Sequence, residues 1–196
     1  MTGCVLCGNP LKRTISLGWV FSFQQVKGSI ICLSCADGFE EIVADNACPG
    51  CFQKQENRER CASCVRWEEK YPKRNLQHRA LYTYNASAEA LMDRIKKQGD
   101  VVVAEVFQKI VYERLKKYQK THRIVWIQNS QDAMPFFLKA ANISYEVIEF
   151  SQVKKLEPRE QPLLLVGDVY TTGEDFIQIQ EQFGCEGTVK SFSLFR

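Results

Sequence analysis

Long apolar runs are what this sequence most obviously lacks. No stretch approaches the about 18 residues that a membrane-spanning helix needs. Residues 1–30 hold no uninterrupted apolar segment of the kind that forms a secretory leader. Membrane insertion is excluded on this reading, and the expected compartment is the cytoplasm, where thiols stay reduced. Histidine is nearly missing as well. His78 and His122 are the only two, each beside an arginine and neither near a cysteine, so both are expected on the surface rather than on a metal. Nor is charge of either sign in large excess: the net formal charge is +3, with 25% charged and 45% hydrophobic residues. That composition belongs to a globular protein, and 196 residues leave room for one ordinary domain and a small additional module.

Cysteine, by contrast, is plentiful at one end. Eight of the nine fall in four C-x2-C pairs: Cys4/Cys7, Cys32/Cys35, Cys48/Cys51 and Cys61/Cys64. Each pair has the spacing of a zinc knuckle, in which two thiolates on a tight turn reach one ion. Four pairs supply two closed tetrahedral sites, so Zn2+ is expected as a structural cofactor at both. A disulfide framework would need an oxidising compartment, and a redox C-x-x-C occurs once per thioredoxin-like unit rather than four times. The nine residues between Cys51 and Cys61 suit a single hairpin ribbon, which favours sequential pairing, with a cross-braced arrangement as the alternative. Residues 1–67 are thus expected to form a double zinc ribbon that unfolds on chelation while the rest stays folded. Cys185 stands apart beside Gly184 and reads as a small buried hydrophobe.

The segment Glu68-Glu69-Lys70-Tyr71-Pro72-Lys73-Arg74-Asn75 is charged, carries a proline and has no periodicity, so it reads as a linker. Beyond it the pattern becomes α/β. Strands are expected at Ala80–Tyr84, Ile124–Ile127, Tyr145–Ile148, Leu163–Val166 and Val189–Leu194. Helices are expected at Ala86–Lys97, Val101–Lys120, Pro135–Ala141 and Glu174–Phe183, the second with a buried stripe of Val103, Phe107, Ile110, Val111, Leu115 and Tyr118. Strands alternating with helices imply a mostly parallel sheet over residues 78–196.

The most informative string in this half is Leu163-Leu164-Leu165-Val166-Gly167-Asp168-Val169-Tyr170-Thr171-Thr172-Gly173. A buried strand ends in an acid, and a tight turn with two hydroxyls opens a helix. Backbone N–H groups at the carboxyl edge of a sheet, with Thr171 and Thr172 adding donors, make a phosphate site; the plainer alternative is a threonine that only caps the helix. Asp168, Val169, Tyr170, Thr171, Thr172 and Gly173 are the candidate phosphate-binding residues. A second signal is charge. Residues 94–123 hold nine Lys/Arg against three acids, +6 in thirty residues, leaving −3 for the remainder. Lys96, Lys97, Arg114, Lys116, Lys117 and Lys120 are the candidate contacts to a single-stranded DNA backbone, against the plainer reading of a solvated helix face.

The eleven-residue string resembles the phosphoribosyl pyrophosphate motif of type I phosphoribosyltransferases. Together with the cysteine module, Ala80-Leu81-Tyr82-Thr83-Tyr84-Asn85, Arg94-Ile95-Lys96-Lys97-Gln98-Gly99-Asp100 and Ser191-Phe192-Ser193-Leu194-Phe195-Arg196, it resembles the ComF family of late competence proteins over nearly the whole chain. The resemblance implies a phosphoribosyltransferase-like domain and a cytoplasmic part in DNA uptake for natural transformation. It also implies single-stranded DNA and a helicase, ComFA, as partners, with Mg2+ accompanying any phosphoribosyl pyrophosphate. Several family features are altered here. Gly167 replaces the first acid of the motif. Glu174 and Asp175 stand where small or hydroxyl residues are usual and compete with phosphate for the positive helix end. The Arg-Gly-Phe-Asn-Gln loop after Ile124–Ile127 is replaced by Gln128-Asn129-Ser130-Gln131-Asp132-Ala133-Met134-Pro135. Only about a dozen residues join Ile148 to Leu163. These changes favour a non-enzymatic DNA-uptake factor over an active transferase or a non-catalytic nucleotide sensor.

Overall fold

The computed structural model describes residues 3–11, 30–72, 77–128, 132–149, 161–174, 176, 177, 179 and 189–196. Cys185, Gly184 and the end of the expected helix from Glu174 lie outside them. The cysteine module contains α1 (Leu33–Asp37) and α2 (Ala62–Lys70), each opening directly after a cysteine. The sheet comprises β1 (His78–Tyr82), β2 (Arg123–Gln128), β3 (Glu146–Glu149), β4 (Leu163–Val169) and β5 (Val189–Phe195). Between strands lie α3 (Ala86–Gln98), a 3-10 segment over Val101–Phe107, α4 (Gln108–Leu115) and α5 (Met134–Ala140). The sheet order is β1-β5-β4-β2-β3 and every pairing is parallel. The α/β expectation therefore holds.

Local chemistry explains the boundaries. Asn85 caps α3 by accepting from the N–H groups of Ser87 and Ala88, both at 3.1 Å. Gly99 closes it in the left-handed region at φ 69°. The expected long helix from Val101 begins instead as a 3-10 segment. Three consecutive valines are stiff at χ1 and poor starters of an α-helix, and regular α geometry is reached only at Gln108. Strand β4 runs three residues beyond its apolar stretch, because Gly167 and Val169 keep their register with Ser193 and Phe195 of β5.

Alternating side chains give the sheet two buried faces. One carries Ile124, Leu164, Val166, Phe192 and Leu194 against Leu91, Ile95, Phe107, Leu115, Phe137 and Leu138 of the helices. The other carries Val125, Leu163, Leu165, Ile148 and Val189 with Ile179. The expected linker is not one over its first residues: Glu68, Glu69 and Lys70 complete α2. The cysteine module is also joined to the sheet. Ile42 N–H donates to Leu81 C=O, Thr83 N–H to Glu40 C=O and His78 N–H to Gly50 C=O, all at 2.9 Å. Ile42, Ala47 and Phe52 share a small core with Ala80 of β1.

Candidate functional site

The eight module cysteines fall into two groups in sequential order: Cys4, Cys7, Cys32 and Cys35, then Cys48, Cys51, Cys61 and Cys64. The sulfurs of each group lie within 4.8 Å of one another. Sulfur pairs stand at 3.7 Å (Cys7–Cys32) and 3.6 Å (Cys48–Cys64 and Cys51–Cys61). A tetrahedron with metal–sulfur bonds of about 2.3 Å has edges of roughly 3.8 Å, so the spacing fits one ion per group and is far too long for disulfides. Cys32 N–H points at Cys4 Sγ (3.3 Å) and Cys61 N–H at Cys48 Sγ (3.4 Å), donors that stabilise thiolate. The thiol of Cys51 is drawn down to about 4, first by its hydrogen bond from Cys64 and also by Arg196. Both groups can therefore hold a metal ion, and four sulfurs filling a closed tetrahedron, all but Cys7 buried or half-buried, suit a structural role.

The sheet topology locates a second feature. The chain moves outward from β2 to β3 and then returns across β2 to β4, so a crevice opens between the carboxyl ends of β2 and β4. Ligands bind at such switch points in parallel α/β sheets. Asp168, at 6% exposure, sits there. Its Oδ1 accepts from Val169 N–H (2.6 Å), and its Oδ2 from Ala133 N–H (2.7 Å) and Lys96 Nζ (2.8 Å). Asp132 lies alongside, accepting from Trp126 Nε1 (2.7 Å) and from Met134 N–H (2.8 Å), which starts α5. Its Oδ2 is 3.9 Å from the position a Cβ on Gly167 would take. Asp132, from the segment after β2, thus sets a carboxylate beside Gly167. Nothing local in the sequence signals that Asp132 comes to stand beside Gly167.

Burial, and then the adjacent Asp168 carboxylate, push the Asp132 carboxyl up to about 7. The folded chain therefore holds a proton there at a pH where the unfolded chain has lost it. Stability linked to this group is full below the ordinary aspartate range and falls as pH rises toward about 7. Asp132→Asn should flatten that decline, and thermal melts of both proteins between pH 5 and pH 8 would show it as curves that diverge with rising pH. Parallel curves would mean that the carboxyl titrates normally.

The third feature is the turn after β4. Gly173 has φ +77°, and a Cβ there would meet the Tyr170 hydroxyl at 1.8 Å. Both the backbone angle and the space demand glycine. Thr172 Oγ1 accepts from Glu174 N–H (3.3 Å), and Ile177 N–H bonds Gly173 C=O (3.0 Å), so the turn opens helically as expected. Thr171 and Thr172 are exposed. Facing them is α2, and the space between is a cleft of about 520 Å³ lined by Ser63, Arg66, Trp67, Lys70, Thr171, Thr172 and Arg196. Trp67 stacks on Tyr71 at 5.4 Å, with Lys70 Nζ over both rings. Three cations, an aromatic platform and three hydroxyls converge on one concavity. Of these, only Lys70 falls in the segment that reads as a linker; Arg66 and Trp67 fall at the end of the expected cysteine module, and none of the three stands out in the sequence as a binding residue. Trp67 three residues past Cys64, followed by Lys70, was the available signal.

The candidate DNA contacts are dispersed. Lys96 is committed to Asp168. Lys97 pairs with Asp93, Arg114 with Glu41 and Lys116 with Glu113, while Lys117 lies over the Tyr118 ring. No described ion pair involves Lys120. His78 is a correction: it is wholly buried, with Nδ1 2.9 Å from Ser191 Oγ and Nε2 3.0 Å from Ser193 Oγ, stacked on Tyr170 at 3.9 Å. Burial, then the charges of Arg196 and Arg79, hold it well below the usual histidine range, hence neutral.

Fold and site together define an α/β protein with a five-stranded parallel sheet and an N-terminal cysteine module suited to metal. No helix among the described residues is long and apolar enough to cross a membrane. Competence protein ComFC of Streptococcus pneumoniae is 28% identical over 98% of this chain and 99% of its own length. Competence protein ComFC of Bacillus subtilis is 26% identical over 54% of this chain and 43% of its own. An end-to-end match to one ComFC and a partial match to another support membership of the ComF family. No family model and no solved structure matches it.

Proposed function

We propose that this chain serves competence as a handler of single-stranded DNA, on a phosphoribosyltransferase-like scaffold that no longer transfers phosphoribosyl groups. Likeness to two competence proteins supports the competence-related role. The cleft between α2 and the Thr171–Gly173 turn carries the finer reading. Its cations suit backbone phosphates, its threonines add hydroxyl donors, and Trp67 offers a face on which a base can stack. The zinc module supplies one wall of this cleft and the domain the other. On this reading Zn2+ fills both tetrads, a ComFA-like helicase is the partner that delivers or receives the strand, and the work is done in the cytoplasm.

A second reading, transfer from phosphoribosyl pyrophosphate with Mg2+, draws on Asp132 standing beside Asp168. Against it, three donors already occupy the Asp168 carboxylate, two backbone amides and Lys96. The side chain is buried, and little acceptor capacity is left for ribose hydroxyls.

Binding to an oligothymidylate, followed by fluorescence anisotropy across a salt series, tests the DNA reading. Arg66→Glu with Lys70→Glu should weaken binding at least tenfold. It should also reduce the salt slope by roughly 1.4, the value for two lost contacts on a single strand. Lys116→Glu with Lys117→Glu should do less, since Lys116 is already neutralised by Glu113. Binding indifferent to salt and to the Arg66/Lys70 reversal would sink the proposal.

A further inference from the structure

Three buried polar atoms have no hydrogen-bond partner among the described residues: Arg60 Nη1, the Tyr170 hydroxyl and Arg196 Nε. Arg60 Nη1 forms an ion pair with Glu68, which leaves the Tyr170 hydroxyl and Arg196 Nε. Buried donors are normally paired, so each calls for a reason. Tyr170 belongs to the same buried cluster as Cys48, Cys51 and Cys64. Arg196 Nη2 lies 3.5 Å from Cys51 Sγ. Four thiolates on a divalent ion carry a net charge of about −2, and the electron-rich sulfurs accept from surrounding donors. A guanidinium and a phenol held against this group are what such a charge requires.

The same two residues shape the turn. Arg196 Nη1 donates to Thr171 C=O (3.0 Å) and approaches Tyr170 C=O (3.4 Å), and its guanidinium lies 5.0 Å above the Tyr170 ring. The turn in its left-handed step at Gly173 closes over the Tyr170 hydroxyl. The opposite wall depends on the tetrad as well: Cys61 caps α2 and Cys64 lies in its first turn, while Arg66, Trp67 and Lys70 follow on the same nine-residue helix. Arg196 therefore touches a metal-ligating sulfur, the turn and the cleft at once.

We propose that the metal-loaded second tetrad positions the Thr171–Gly173 turn through Arg196 and Tyr170, so that nucleotide-phosphate binding in the cleft and metal retention at Cys48, Cys51, Cys61 and Cys64 are thermodynamically linked. The linkage rests on the cleft being the ligand site, and Arg196 and Tyr170 are positioning residues in it. Linkage is reciprocal: whatever factor the metal adds to ligand affinity, the ligand adds to metal affinity.

The test follows metal transfer from the full, metal-loaded chain to a chromophoric chelator, with and without a 5′-phosphorylated oligothymidylate. Two release phases are expected, and Cys7→Ser assigns the one belonging to the first tetrad. Arg196→Gln should accelerate the other phase by at least about tenfold, the usual effect of losing an outer-shell partner, and Arg196→Lys should restore part of it. Tyr170→Phe should act in the same direction. The oligonucleotide should slow that phase in the unaltered chain and not in Arg196→Gln. Release phases unchanged by Arg196→Gln, or protection by oligonucleotide that persists in that variant, would overturn the linkage. An oligonucleotide that neither binds nor protects, with Arg196→Gln still accelerating release, would overturn the cleft as a DNA site and leave the Arg196 contact to the tetrad standing.

Discussion

Chelation is expected to release about two metal equivalents per chain and to weaken the sheet as well as the cysteine module. Structural zinc in small modules contributes on the order of 10 kcal/mol of folding free energy. Here part of that free energy holds residues shared with the domain. Cys48, Cys51 and Cys64 pack against Tyr170 and Ile177, and Ile42, Ala47 and Phe52 against Ala80. Backbone hydrogen bonds also tie the module to β1 and the residue after it: His78 and Thr83 donate to the module, and Leu81 accepts from it. The simpler expectation from sequence, a module that melts alone, gives way to a coupled loss. If the domain loses about 5 kcal/mol, its thermal midpoint should fall by roughly 10–20 °C. Calorimetry of metal-loaded and chelated protein reads this directly. A midpoint unchanged by chelation, with only far-ultraviolet signal lost, would show that the module and sheet are energetically separate.

Replacing Asp168 by alanine should have the next largest effect, about 2–4 kcal/mol of stability. Two backbone amides, the buried one of Ala133 and the half-buried one of Val169, lose their acceptor together; a fully buried orphan costs about 1–3 kcal/mol and a half-buried one less. Lys96 is 31% exposed at its side chain and can turn to water, so the broken ion pair adds little. Asp168→Asn keeps one carbonyl acceptor and should cost less than half as much. Denaturant unfolding of the three proteins settles the order. The same variants separate scaffold from enzyme. On the proposed function, phosphoribosyl pyrophosphate with magnesium gives no turnover in the parent chain. Turnover in the parent that vanishes in Asp168→Asn would restore the transferase reading.

How much of this the sequence makes legible depends on whether a feature is local. The cysteine tetrads are local: spacing within each C-x2-C pair and the short ribbon between Cys51 and Cys61 favour the grouping the structure shows. Leu163–Val166 and the turn that follows are local too, since an apolar run, an acid and two hydroxyls stand in one string. His78 is not. It reads as a polar residue beside an arginine, and its burial depends on two serines more than a hundred positions away. Asp132 is hidden for the same reason, because only folding sets it beside Gly167. Trp67 and Lys70 were obscured by context: Glu68, Glu69 and Pro72 suggest a linker, whereas the neighbouring knuckle at Cys61 and Cys64 holds the segment as a helix.

The strand order β1-β5-β4-β2-β3 carries a consequence for how the molecule comes into being. The last strand in sequence sits second from the edge, and β1 has no partner in the sheet other than β5. On the ribosome, β1 must wait for β5, whose Ser191 lies 113 residues after His78, before it can pair in the sheet. Loop closure over such a distance is slow. In that interval the cysteine module already covers the waiting strand, holding its carbonyl and amide groups at His78, Leu81 and Thr83. A metal-nucleated segment made before β1 would then act as an internal chaperone for a strand whose mate in the sheet is synthesised much later.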